Sequence, residues 1–259
     1  MSNSNKSNTQ ATVALVKSPK KDANQITDTE IRKMVREAVR LTGGLSDIIK
    51  DGQFVVIKPN LVATRKVTGS FKPLMMPFSN PFNEKVQVPE LMNGITTDRR
   101  VTKAMVELVR EVNPSGKVYI MECAGDGATT ENFKRMGYTH ENIPGVDKFI
   151  AIGEDGEYRN VDSDDLVAVE VENQQYKKLP KFLKNKYYFD KTYFSADVII
   201  SLCCVKNHMN AAVTGGIKNV GIGARPANIY TPKGKNNTCS AFIIGHTWEP
   251  INQFIHDYY

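Results

Sequence analysis

The chain has 259 residues, 41% of them hydrophobic, and carries 34 Lys and Arg against 28 Asp and Glu for a formal charge of +6. That length can bury a sizeable core in one large or two small domains, and the composition is that of a globular protein. The longest apolar run, around Val198 to Val205, is far short of the ~20 residues that a bilayer-spanning helix needs.

The opening "MSNSNKSNTQ" (1–10) is polar and lacks the apolar core of a secretory signal. We read it as a disordered tail ahead of one α/β domain over 11–259. "ATVALVKS" (11–18) alternates apolar and polar positions, which predicts a first strand. Ile31, Met34, Val35, Ala38 and Val39 then recur at helical spacing, with Thr27 or Thr29 placed to cap and Gly43-Gly44 to terminate. "GQFVVIKPN" (52–60) predicts the next strand and completes a βαβ pattern. Residues 63–95, with four prolines between Pro73 and Pro89, read as a long loop of the kind that covers a site or moves.

A second helix is predicted from Val101, Met105, Leu108, Val109 and Val112, capped by Asp98 or Thr97. "KVYIMEC" (117–123) is a third strand, and "ENFKRMGY" (131–138) a short helix closed by Gly137. From 148 to 180 the pattern has period two, which predicts antiparallel strands with Asp155-Gly156 as a hairpin turn. The basic run "YKKLPKFLKNKYYFDK" (176–191) mixes lysines with aromatics. We read it as a solvated hairpin with its aromatics inward rather than as a nucleic-acid surface. "SADVIISLCCV" (195–205) is the most continuous apolar strand and is expected at the centre of a parallel sheet. The chain stops at "FIHDYY", within an expected helix with Ile251, Phe254, Ile255 and Tyr258 on one face. The expectation is a C-terminally incomplete domain. The four cysteines, Cys123, Cys203, Cys204 and Cys239, show no C-x-x-C spacing. They fit a cytoplasmic protein without an iron–sulfur cluster, a zinc ribbon or a disulfide framework, and Cys203 and Cys204, which continue an apolar strand, read as buried, inert thiols.

Three predicted strands end in polar residues: Lys58 and Asn60, then Glu122, then Lys206 and His208. In an open α/β sheet the carboxyl ends of parallel strands line one crevice, where ligands bind. Beyond them, Thr214, Gly215 and Gly216 can present backbone N–H groups to an anion, with Lys218 and Asn219 following. This is not a G-x-x-x-x-G-K-[ST] phosphate loop. His208, whose ordinary pKa lies nearest neutrality, is the candidate acid or base. Lys218 reads as an exposed residue whose loss costs little stability. The expected partner is a small anionic molecule, with no membrane.

Three blocks carry a resemblance: "VALVKS…GGLSDIIKDGQFVVIKPNLV", "TTDRRV" and "ADVIISLCCVKNHMNAAVTGGIKNVGIG". Together they resemble domain-of-unknown-function family 362 over about residues 12 to 223. Arg99 stands where that family usually has proline. Many family members carry a ferredoxin-like cluster module, which implies an association with iron–sulfur or redox systems, although the cysteine pattern here lacks the module. More distantly, His208 to Lys218 is similar to the H-x9-K block of nickel-pincer lactate racemases. That similarity implies His208 as the proton-handling residue and Lys218 as the anchor of a nickel cofactor, but no other histidine here matches that family's ligands. The expectation is an α/β protein acting on a small anion by His-assisted proton transfer or redox chemistry, the alternative being a non-catalytic anion- or cofactor-binding protein.

Overall fold

The computed structural model describes residues 12–21, 25–61, 96–124, 129–154, 163–171, 181, 184–208, 212–226 and 229. Its centre is a parallel sheet built from β1 (Phe54–Pro59), β2 (Lys117–Glu122), β3 (Lys148–Ala151) and β6 (Val198–Leu202), in the order β3-β2-β1-β6. Ile57 lies beside Ile120 on one side and Ile200 on the other, so all of these strands run the same way. Strands covered on both faces need apolar residues at successive positions. Val55, Val56 and Ile57 meet that need, and each is fully buried. Each such side chain contributes on the order of 1.5–3 kcal/mol by leaving water.

Alternation along the strands sends the side chains to two cores. Val55, Ile57, Val118 and Ile120 pack under α2 (Arg99–Val112) and α3 (Thr129–Met136) through Met105, Val106, Val109, Phe133 and Met136. Val56 and Met121 face the other way, toward Tyr193 of α4 (Lys191–Phe194), Val220 of α5 (Gly216–Gly223) and Ala224. Lys58 is two residues beyond Val56 and lies on this α5 side.

α1 (Asp28–Leu41) is capped by Thr27. The Thr27 hydroxyl accepts the Glu30 N–H at 3.3 Å and the Glu30 carboxylate accepts the Thr27 N–H at 2.8 Å, a capping box that satisfies two otherwise orphaned donors. Gly43 and Gly44 follow at φ 99° and 83°, which only glycine adopts without strain. α1 lies on α2 through Val35 and Val39, which pack against the core, and through Arg32–Glu107 and Arg36–Glu111 ion pairs. Asp98, not Thr97, caps α2 by accepting the Arg100 N–H at 2.9 Å. Arg99 is therefore the first helical residue, where proline is favoured. The cap does not depend on it.

Two antiparallel ribbons accompany the parallel sheet. β4 (Leu166–Glu170) pairs with β5 (Lys186–Asp190), and β7 (Lys206–His208) pairs with β8 (Ala212–Thr214). In β5 the aromatics Tyr187, Tyr188 and Phe189 are buried, so they are not platforms on which bases could stack. Among the described residues no helix is long and apolar enough to cross a membrane.

Four expectations are corrected. Residues 12–18 form no strand, and Val13 and Leu15 are about nine-tenths exposed. Alternation specifies a face, but a strand also needs a neighbour for its backbone hydrogen bonds. Lys148–Ala151 joins the parallel sheet beside β2 instead of an antiparallel extension. Among the described residues β6 is an outer strand, and β1 and β2 are the inner ones. The apolar run misleads there because the strand stops at Leu202, and Val205 beyond it is exposed. Finally, Cys123 is disulfide-bonded, while Cys203 and Cys204 are free thiols. Spacing rules see local C-x-x-C pairs and not cysteines that folding brings together. The tail 1–10, the loop 63–95, the Asp155-Gly156 turn and residues 241–259 lie outside the described residues.

Candidate functional site

The carboxyl ends of β1, β2 and β6 converge beneath α5. Thr97 ties the first and last of these together. Its N–H donates to the Asn60 carbonyl at 2.9 Å, and its hydroxyl accepts the Asn60 N–H at 2.9 Å and donates to the Leu202 carbonyl at 2.5 Å. The Tyr138 hydroxyl donates to the Thr97 carbonyl at 3.1 Å. The T-T-D block thus has two local tasks, since Thr97 joins the strand ends and Asp98 starts α2. Asn60 is buried, and its main chain is held by Thr97.

The floor of the site is a buried ion pair. Lys58 is fully buried and its amine contacts the Glu122 carboxylate, also buried. The same amine donates to the Pro59 carbonyl at 3.1 Å and to Asn219 Oδ1 at 3.4 Å. Glu122 Oε1 accepts the Leu61 N–H at 2.9 Å. Asn219 Nδ2 donates to the Lys58 carbonyl at 3.1 Å and to Ser201 Oγ at 3.0 Å, so one amide bridges α5, β1 and β6. Complete burial, and then the Lys218 cation, push the Lys58 ammonium well below its ordinary range. The adjoining carboxylate favours the charged form. The pair is neutral as a unit whichever of the two groups holds the proton.

Gly223 makes this arrangement possible. A Cβ there would lie 2.6 Å from Lys58 Nζ and 2.8 Å from its Cε, closer than real contacts allow. Its carbonyl accepts the Cys123 N–H at 3.1 Å, which fastens the end of α5 to the end of β2.

The wall of the site is cationic. Lys206 lies opposite Thr214 in the β7–β8 ribbon, and Gly215 and Gly216 lead from Thr214 directly into α5. Lys218 sits in the first turn of α5 and is buried rather than exposed, which corrects the reading of a solvated lysine. The reason is that helix formation begins at Gly216 and folds Lys218 back over the strand ends. Burial, then Lys206 and Arg225, push its pKa down to about 8. Lys206 is half-buried and also lowered, mainly by desolvation. Among the described residues neither lysine is paired with a carboxylate. Arg225 is buried at the C-terminal end of α5 and its Nε donates to the Ile222 carbonyl at 3.3 Å. Burial pushes the Cys203 and Cys204 thiols up, so both stay protonated.

Thr214 is fully buried, and its hydroxyl has no hydrogen-bond partner among the described residues. Gly215 caps α5 without a side-chain hydrogen bond, and the first turn of any helix presents N–H groups that its own carbonyls do not satisfy. A Cβ on Gly215 would meet nothing within 4 Å among the described residues.

The structure therefore gathers Lys58, Glu122 and Asn219 into one contact set, with Lys206, Lys218, Thr214, Gly215 and Gly216 around it and Asn60 at the adjoining strand end. His208 ends β7, and its side chain lies outside the described residues. Ser201 and Gly223 escaped the sequence reading, and Thr97 entered it only as a candidate helix cap. Ser201 and Gly223 lie in the same resemblance block as Lys218, and Thr97 lies in "TTDRRV". Among the described residues no group of three or more His, Cys, Asp or Glu side chains is placed to hold a metal ion. The described residues alone do not supply the ligands of a nickel or iron–sulfur site. A surface cleft between α1 and α2 is lined by Asp28, Arg32, Arg100, Lys103 and Glu107. Its arginines are already paired with Asp28, Asp98 and Glu107.

No curated protein and no solved structure matches the chain. The model of a protein family described as a domain of unknown function, DUF362, matches residues 85–244, more than half of the chain and including β6, the β7–β8 ribbon and α5. The chain belongs to the DUF362 family.

Proposed function

We propose that the strand ends roofed by α5 form a binding site for a small anionic compound, and that the protein is an enzyme acting on it. The observation that carries this reading is the buried Thr214 hydroxyl, unpartnered among the described residues, at the start of α5 between Lys206 and Lys218. A buried polar group without a partner costs about 1–3 kcal/mol, and an anion at the helix N-terminus would accept its proton. The helix dipole and first-turn N–H groups favour negative charge in the same place. Lys206, Lys218 and Arg225 supply the countercharge. Lys58, Glu122 and Asn219 are engaged with one another and with backbone groups rather than with the anion. They hold α5 over the strand ends and keep a mobile proton beneath the site. His208 is assigned proton transfer from its sequence position two residues after Lys206.

Calorimetric titration with inorganic phosphate and with small carboxylates tests the reading. Hydrogen bonds to charged groups contribute about 1.5–3 kcal/mol, so Thr214→Val and Lys218→Gln are each expected to weaken binding about tenfold to a hundredfold. Absence of saturable binding, or equal affinity in both variants, overturns it. Binding without turnover of any small anion would keep the site and remove the catalytic role.

A further inference from the structure

We infer that Lys218 is the nucleophile of this site, and that its substrates are small carbonyl compounds bearing an anionic group, of which 2-oxo acids are the simplest class. The inference rests on the anion-site reading above. It starts from a contrast between two buried lysines under one helix. Lys58 has a carboxylate against its amine. Lys218 has none among the described residues, and its charged neighbours are Lys206, Arg225 and Lys58, all cations. Glu122, the carboxylate of the cluster, is engaged by Lys58 and by the Leu61 N–H.

A lysine whose task is only to hold an anion gains from keeping its full charge. Here burial and neighbouring cations act against the charge, which is how an amine is made nucleophilic near neutral pH. The rival nucleophiles are less available, because the Cys203 and Cys204 thiols are pushed up by burial and a thiol reacts as its thiolate. Position agrees with chemistry. Lys218 is the third residue of α5, so an anionic group held by Thr214 and the first-turn amides brings a carbonyl on the adjacent carbon toward the same turn. The step balances without an added reagent. The amine nitrogen attacks the carbonyl carbon, a C–N bond forms, and the C–O bond breaks as the oxygen leaves in water with both amine protons. The resulting imine takes one proton from solvent to become an iminium, an electron sink beside the bound anion.

The test is reductive trapping of the full chain with pyruvate and cyanoborohydride near pH 7.5, followed by peptide mass mapping, with acetone as the uncharged control. Each unit by which an amine's pKa is lowered gives tenfold more neutral amine below both values, so Lys218 should be trapped about a hundredfold faster than an ordinary lysine. Pyruvate should label it and acetone should not, and excess phosphate should block the labelling. Lys218→Arg should lose the adduct, because a guanidinium does not form the imine. Mapping on the unsubstituted chain keeps the test valid should the variant fold poorly. Adducts spread evenly over surface lysines would overturn the inference. So would an unlabelled Lys218 in protein that binds phosphate, an outcome that leaves the anion site standing. Neither phosphate binding nor adduct would overturn both readings.

Discussion

Replacing Lys58 with methionine should be among the most destabilising single changes in the molecule. The side chains of Lys58 and Glu122 are 0% and 3% exposed, so removing the amine strands a carboxylate where water cannot reach it. Losing one partner of a buried pair costs about 3–5 kcal/mol. In a chain of this size that corresponds to a fall in melting temperature of about 6–20 °C. Glu122 Oε1 keeps the Leu61 N–H, which places the expected cost toward the lower end. The double variant Lys58→Met/Glu122→Gln retains an acceptor for Leu61 and removes the stranded charge, so it should lie within about 1 kcal/mol of the original protein. Urea unfolding of both variants measures this. A loss below about 1 kcal/mol in the single variant, or a double variant no better than the single, would refute a buried, mutually dependent pair.

Gly223→Ala should destabilise by about 1–3 kcal/mol through forced displacement of Lys58, measured by urea unfolding, and no loss would deny the close packing of Lys58 against this glycine. Thr27→Ala should cost about 1 kcal/mol by breaking the capping box of α1, measured by urea midpoint, and no loss would deny the cap an energetic role. Lys218 gives a pH signature. Its folded pKa of about 8 is below its ordinary 10.5, so between those values the unfolded state binds more protons and stability rises with pH. The penalty of burying the charge is fully present below about pH 8. Urea midpoints from pH 7.5 to 10 should therefore rise more steeply in the unsubstituted chain than in Lys218→Met, and parallel profiles would contradict a buried cation. Anion affinity should run the other way, weakening as pH rises through 8, because the bound anion favours the charged amine.

The parallel sheet and its polar strand ends were legible because β1 and β2 join an unbroken apolar stretch to a terminal charge, a pattern that fixes both burial and polarity. What lay beyond was less so. Lys58 reads from the sequence as a residue that reaches a ligand, yet its role is set by Glu122, 64 positions away, a distance over which no local pattern acts. Lys218 reads as solvated because two glycines precede it, and only the start of α5 at Gly216 turns it inward. Gly223 is an ordinary helix-weakening glycine until Lys58 is placed against it. The strand expected over 11–18 failed for the complementary reason. Its alternation was real, but pairing depends on a neighbour that sequence periodicity does not specify.

The central claim, that an anion binds at the start of α5 over the strand ends, is tested most directly by following backbone amide resonances of the labelled protein during titration with inorganic phosphate. The account predicts saturable shifts concentrated at Thr214 to Asn219 and at Lys206 and Arg225, with one shared affinity that is lost in Thr214→Val. Shifts confined to the α1–α2 cleft around Arg32, Arg100 and Lys103, or small shifts scattered over the basic surface without saturation, would contradict it.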